Sequence, residues 1–415
     1  MAGWGAADVS AVEKVHIVWM NHLDVGFTNN IASVLNIYWH EYFPKAAATA
    51  KAVNKPGRPP VFKYTTHAWL LDLFFDCPRQ LGLNCTADPE DLGTGTTPDD
   101  HPACVLCPDA SLVALVEKAI ADDVITWHAF PFNAEPELAD STLLRAGIDS
   151  VRRLDKRFGK ANKTVISQRD VPGVTRGIVP IMAEQGVLAF SEGCNAQIQP
   201  PQTPGPLFNW SDTASGTSVF MLLHPRGYGL EEQDDETGLP LLRAGVGDPC
   251  PSSRDVVAVP GFSEALLYAF KDDNQGPPSP LEVAAFLACV REHTLFPPAA
   301  QLAGSTFDAF IAALAAHPTA ARSLPVVTAE IGDTWIYGAQ SDPKKMKLLR
   351  MMMRALSRCR GCDRPPHTEP AVANFSRLLL KPTEHTFGLH GLGGGAARAV
   401  WPNAALDAGA FTCNS

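Results

Sequence analysis

The sequence predicts an α/β fold, a (β/α)7-8 barrel with long loop insertions, and two observations carry that expectation. Along 415 residues, 46% of them hydrophobic, short apolar runs recur and each closes on a polar cluster. Stretches with helical spacing separate most of these runs, and strands that alternate with helices imply a parallel sheet. Seven or eight such units suffice to close a barrel, whose strands would all deliver their carboxyl ends to one mouth. No repeat of fixed period runs through the chain.

The first strand is "VHIVWMNHLDVGFT", an apolar run that ends in His22, Asp24 and Gly26. His22 and Asp24 are two apart, so a strand that persists that far points both to one face. The pair reads either as half of a metal site or as a loop histidine hydrogen-bonded to its neighbour. Further strands follow in "PVFKYTTHAW", "VITWHAFPFN", "TVISQRDV", "VLAFSEGCN", "SVFMLLHP", "LLYAFKDDN" and "PVVTAEIGD". Helices between them include "ASLVALVEKAIADD", "STLLRAGIDSVRRLDKRF", "GIVPIMAEQG" and "PLEVAAFLACVREHTLF". Their strand ends gather His22, Asp24, His67, His128, Asn133, Asp170, Asn195, His224, Asp273, Asn274 and Asp333 near a common mouth, more polarity than a packing core needs.

The barrel is expected over residues 10–345, with a Cys-rich insertion at about 77–107 and a polar, Gly/Pro-punctuated one at about 229–261. Residues 346–415 read as a helical C-terminal segment that is cut short. The stretch "DPKKMKLLRMMMRALSRC", which begins at Asp342, leads into it as an amphipathic helix with Met351, Met352 and Met353 as core filler.

The net charge of −10 gives no basic footprint for nucleic acid or an anionic membrane. No apolar run is long enough to cross a bilayer, and "MAGWGAADVSAVEK" lacks the form of a signal peptide. The ten cysteines argue for export all the same: Cys77, Cys85, Cys104 and Cys107 bracket the first insertion as a stapled loop would. Sequons at Asn84, Asn162, Asn209 and Asn374 point the same way. The expected location is the secretory pathway, extracellular or in a lysosome-like compartment, with the leader not visible in this chain; the alternative is cytoplasmic. The pairs Cys104/Cys107 and Cys359/Cys362 can also be read as a four-thiolate zinc site, against disulfides or free thiols.

The islands "NHLDVGF", "QRDVPGVTRGIVPIMAEQGV", "EIGDTWIYGAQSDPKK" and "EHTFG" occur in an order that resembles the catalytic domain of glycoside hydrolase family 38, the zinc-dependent α-mannosidases. The resemblance spans roughly residues 14 to 390, at these islands alone. It implies a Zn²⁺ held by His22 and Asp24 after the first strand, by Asp170 in "SQRDVPG", and by a late histidine, His385, with His390 as runner-up. Two imidazoles and two carboxylates suit zinc and leave room for a substrate oxygen. As alternatives, His22 reads as a core histidine, Asp170 as a helix cap and His385 as a loop histidine.

The chemistry implied is retaining glycoside hydrolysis on α-mannosides or related α-linked carbohydrate. Asp170 would be the nucleophile. Asp333, beside Trp335, would be the acid/base, against a reading as a turn-capping aspartate. Of Trp19, Trp69, Trp127 and Trp335 near strand ends, one is expected to stack on sugar. Asp273, Asn274 and Arg176 complete the candidate substrate contacts. Asn21 stands where the mannosidases carry a serine or threonine, which bears on specificity. Competing readings are a catalytically inactive carbohydrate-binding barrel and a zinc-dependent carbohydrate deacetylase. No H-E-x-x-H or G-x-S-x-G motif supports a metalloprotease or a serine hydrolase.

Overall fold

The strand β1 (Lys14–Asn21) is buried along almost its whole length because it is covered on both edges and both faces. In the computed structural model, which describes residues 8–29, 31–77, 104–195, 198–224, 227, 250–292, 295–359 and 370–386, it is the centre of the larger of two sheets. The chain continues through α1 (Ile31–Ile37), a π-helical turn, α2 (Phe43–Val53), β2 (Tyr64–Thr66), α3 (Ala68–Phe75), α4 (Ala110–Ala121), β3 (Ile125–Trp127), α5 (Ser141–Arg157) and β4 (Val165–Asp170). Then come α6 (Ile178–Glu184), β5 (Ala189–Cys194), β6 (Leu207–Asp212), β7 (Thr217–His224), β8 (Val256–Ala258) and β9 (Glu264–Lys271). The last elements are α7 (Pro280–Glu292), β10 (Gln301–Gly304), α8 (Phe307–Ala316), α9 (Ala320–Ser323), β11 (Val326–Val327), α10 (Pro343–Arg358) and α11 (Pro370–Leu380).

One sheet runs β3-β2-β1-β9-β8, with β10 also paired to β1, and the other runs β11-β6-β7-β5-β4. The pairs β1–β2, β1–β9, β1–β10, β2–β3, β4–β5, β5–β7 and β6–β11 are parallel, as the alternation with helices predicts; β6–β7 and β8–β9 are antiparallel. The expected closed barrel is therefore corrected to two sheets: among the described residues no ladder joins β3 to β4 or β7 to β9. At the first gap the three-residue β3 ends early, and Ala129 N donates to Val165 O at 2.8 Å. At the second, β7 pairs with β6 and β5 and β9 with β1 and β8, and the His224 and Tyr268 rings stack 4.1 Å apart between them.

Period-two alternation sorts β1 between two cores. Val15, Ile17 and Trp19 pack outward under the helices, whereas Val18 and Met20 join Val165, Ala189, Leu222, Leu266, Tyr268 and Phe270 between the sheets. The helices are started by side-chain caps. Asp109, Asp140, Thr306 and Asp342 accept from backbone N–H groups of α4, α5, α8 and α10. The two C-terminal helices pack on α5. In α10 the buried stripe is Leu349, Met353 and Leu356, and Met351 and Met352 are exposed, so of the three methionines only Met353 fills core.

Disulfides join Cys77 to Cys107 and Cys250 to Cys289, and Cys104 and Cys359 are also disulfide-bonded. That removes the four-thiolate zinc reading. Most of the Cys-rich insertion, and of the polar one, lies outside the described residues. Among the described residues no helix is long and apolar enough to cross a membrane.

The start of α7 is a capping box, with Ser279 Oγ accepting from Glu282 N at 3.3 Å and Glu282 Oε2 from Ser279 N at 2.5 Å. Lys271 Nζ bonds the other carboxylate oxygen at 2.5 Å. Burial alone would raise the Glu282 carboxyl, but the bonds from Lys271 and Ser279 outweigh it and bring it down to about 2. A depressed carboxyl stabilises the fold above its unfolded value and loses that contribution as pH falls toward 2. Because the side chain is 31% exposed, Glu282→Gln is expected to cost only about 1 kcal/mol at pH 7. Thermal melts should show the gap to the parent protein closing between about pH 5 and pH 2; a gap that is constant with pH would contradict it.

Candidate metal centre and active site

Alternation carries past the end of β1, so His22 and Asp24 continue the face of Val18 and Met20 into the mouth. His22 N donates to Lys271 O at 3.0 Å, which holds the exit of β1 beside that of β9. At the end of β4 the alternation breaks: Asp170 has a left-handed backbone, φ 81°, uncommon for a residue with a side chain. Asn195, just beyond β5, pins it there, donating from its backbone N to Asp170 O at 2.9 Å and from Nδ2 to Asp170 Oδ1 at 2.6 Å.

The fourth group arrives from the far end of the chain. After α11 a 3-10 turn (Lys381–Thr383) leads the chain back across the mouth, where Glu135 N donates to Thr383 O at 2.8 Å and His385 N to Asn133 O at 3.2 Å. One ligand atom each from His22, Asp24, Asp170 and His385 then lies within 4.8 Å of the others. Asp24 Oδ1 is 3.0 Å from His22 Nε2 and 3.2 Å from His385 Nε2, and Asp170 Oδ2 is 3.3 Å from His385 Nε2. His390 lies outside the described residues.

These four groups fit a divalent cation. Two carboxylates are packed together with little water, and only positive charge can balance them. Without a metal, that role falls to protons on the imidazoles. Burial would lower His22 and His385, yet Asp24 raises the first, and Glu384, Asp170 and Asp24 carry the second well above the ordinary imidazole range. The same pairing holds Asp24 and Asp170 below the usual carboxylate range against their burial. A mixed nitrogen and oxygen donor set of this kind suits zinc.

A second layer orients the first. Glu384 Oε1 lies 2.8 Å from His385 Nδ1 and accepts from Val25 N, and its Oε2 accepts from Thr386 Oγ1, so a carboxylate stands against the ring nitrogen opposite the candidate ligand Nε2. Asn133 Nδ2 sits 3.2 Å from His22 Nδ1 and donates to Leu23 O at 2.9 Å, while its Oδ1 accepts from Arg169 N at 3.0 Å. The sequence reading gathers Asn133 and Asn195 at the mouth without giving them a role, and it does not name Glu384. A carboxylate directly before the late histidine, and asparagines at two strand ends, were the signals available.

The remaining candidates scatter. Asp273 Oδ1 is 3.8 Å from His22 Nε2 and makes no hydrogen bond. Burial, partly countered by His22 and reinforced by Asp24, pushes its carboxyl up to about 7. Asn274 is buried and its side chain is bonded within the fold: it donates to Asp24 O and Thr28 Oγ1 and accepts from Asp24 N and Tyr38 Oη. Asp333 is exposed and accepts from Trp335 N at 3.0 Å and Tyr337 Oη at 2.6 Å. The half-buried Trp335 sits beside it in left-handed backbone, φ 56°. Arg176 reaches Asp212 Oδ1 at 3.4 Å and the carbonyl of Thr328.

The tryptophan expectation meets a correction at two positions. Trp127 has the outward parity of β3, and its indole donates to Asp155 Oδ1 at 2.8 Å under the helices. Trp69 belongs to α3 and packs edge-on against Phe132. Trp19 likewise faces outward and donates to Val61 O. Nearness to a strand end does not bring a side chain to the mouth; parity decides it.

No protein-family model matches the sequence, and no curated protein sequence matches it. Among solved structures it is similar to an α-mannosidase from Enterococcus faecalis V583, at 15% identity and a TM-score of 0.53 over 90% of this chain and 38% of that one. A family 38 glycosyl hydrolase from Enterococcus faecalis gives 12% identity and a TM-score of 0.44 over 90% and 36%. A GH57 branching enzyme from Thermococcus kodakaraensis gives 11% and 0.45 over 89% and 85%. The chain thus spans less than half the length of the mannosidase whose fold it shares. That fold likeness agrees with the order of the sequence islands, and the chain shares its fold with the Enterococcus faecalis α-mannosidase.

Proposed function

We propose that this chain carries the active site of a zinc-dependent retaining glycosidase acting on α-mannosides or closely related α-linked sugars, in an oxidising compartment. The observation that supports it best is the convergence of His22, Asp24, Asp170 and His385 into one buried donor set within 4.8 Å, built from three distant parts of the chain. The disulfides support the compartment. When bound, zinc would neutralise the paired carboxylates and take hold of vicinal sugar hydroxyls.

Asp170 is the nucleophile in this reading. Asn195 and the left-handed backbone hold one of its oxygens in place and leave Oδ2 toward His385. The acid/base role moves from Asp333 to Asp273 on geometry. Asp273 stands against the same His22 that Asp170 acts on, with an oxygen free of hydrogen bonds, whereas both oxygens of Asp333 are engaged by its own turn.

The two assignments separate by leaving group. A missing general acid is felt when the departing alcohol is poor and little when it is a nitrophenol. Asp273→Asn is expected to lower turnover of an alkyl α-mannoside by about 10²–10⁴-fold and that of a dinitrophenyl α-mannoside by under about tenfold. Asp333→Asn should change both by less than about tenfold. The reverse pattern would return the role to Asp333, and no cleavage by the zinc-loaded parent protein would remove the glycosidase reading.

A further inference from the structure

Among the described residues, several buried side-chain polar atoms at the strand ends have no hydrogen-bond partner, and one of them is the Nε2 of His67. Residue pairs Trp19↔Tyr64 and Tyr64↔Ile125 set the registers of β1, β2 and β3. Three residues further on, those registers carry His22, His67 and His128 to one level on three adjacent parallel strands. Paired residues of parallel neighbours share a face, so His67 and His128 lie on the inward side with His22. Both are 1% exposed.

The proton positions in this row follow from the backbone. His128 Nδ1 receives the N–H groups of Ser167 at 3.3 Å and Phe130 at 3.4 Å. Backbone amides only donate, so Nδ1 offers its lone pair and the neutral ring carries its proton on Nε2. That Nε2 lies 2.9 Å from His67 Nδ1 and donates to it. His67 therefore accepts at Nδ1 and carries its own proton at Nε2, an atom that is buried and has no hydrogen-bond partner. Burial keeps both rings neutral, His128 at about 3 and His67 well below the ordinary range, where the neighbouring His128 adds to the effect. The β1–β2 register sets His67 at the strand end next to that of His22, one of the four candidate metal ligands. A buried donor with no acceptor is costly, and native structures seldom keep one that neither a water nor a ligand completes.

Building on the glycosidase reading, we propose that His67 Nε2–H is a substrate-binding donor, placed to bond one ring hydroxyl of the sugar held at His22, Asp24, Asp170 and His385, and so to select sugars that carry that hydroxyl. His128 acts through it as a positioning residue, fixing the tautomer and the aim of the ring. The interaction is neutral and short-ranged, so it discriminates between sugars more than it drives the reaction.

The test uses the zinc-loaded full chain, nitrophenyl α-mannoside and its monodeoxy analogues, with His67→Phe and His67→Gln. His67→Phe is expected to lower kcat/KM about 10–100-fold with zinc content unchanged, and His67→Gln, which keeps an N–H donor, to lose less. In the parent protein one monodeoxy analogue should lose a similar factor, and His67→Phe should lose nothing further on it. Equal discrimination by parent and His67→Phe would overturn the proposal and leave the glycosidase reading standing. A parent protein that neither binds nor cleaves any of these sugars would overturn both. Should His67→Phe fail to fold, the imidazole ¹H–¹⁵N signals of the parent decide: methyl α-mannoside should shift the His67 Nε2–H resonance, and an unmoved resonance refutes the contact.

Discussion

Asp170→Asn is expected to lower turnover of an activated α-mannoside by about 10⁴-fold or more, with zinc still bound or only weakened. The amide cannot attack the anomeric carbon, so covalent catalysis is lost outright. Metal binding suffers less because His22, Asp24 and His385 remain, and the Asn195 contact that fixes the side chain needs only an oxygen acceptor. Paired assays of hydrolysis and zinc content separate the two effects. Unchanged turnover would eliminate Asp170 as nucleophile. Loss of zinc in step with turnover would reduce it to a ligand.

The asymmetry between what the sequence discloses and what it hides has a physical origin. His22, Asp24 and Asp170 are legible because each follows a buried strand, and strands show as apolar runs that stop abruptly. His385 is legible only through the resemblance, since its position depends on α11 turning the chain back over the mouth. The surroundings of Trp127 and Asn274 were illegible for a different reason. A residue near a strand end faces the mouth or the helices according to parity, and an asparagine in a turn contacts ligand or backbone according to neighbours 250 residues away in sequence. Closure of the barrel was illegible as well. Counting strand–helix units gives their number and direction but not which neighbours each strand takes, and β7 and β9 take β6, β5, β1 and β8 instead of each other.

His22→Ala is expected to lose the metal and to cost roughly 3–5 kcal/mol of stability, several degrees in Tm. The loss has two sources. The variant lacks the ligand 3.0 Å from Asp24, and it leaves that buried carboxylate with His385 as its remaining close imidazole partner. If the centre binds zinc, the parent protein carries about one ion per chain, and a chelator lowers its Tm. An ion present at a thousand times its dissociation constant contributes about 4 kcal/mol, all of which chelation removes. The variant, already without metal, should be indifferent to chelator, and elemental analysis of the two proteins side by side checks the occupancy directly. Absence of zinc from both, together with a parent Tm that chelator does not move, would make the four groups a buried ion-pair network. His22 and Asp24 would then serve the fold, Asp170 would have no metal to share, and the strand ends would keep the outline of a glycosidase without its chemistry.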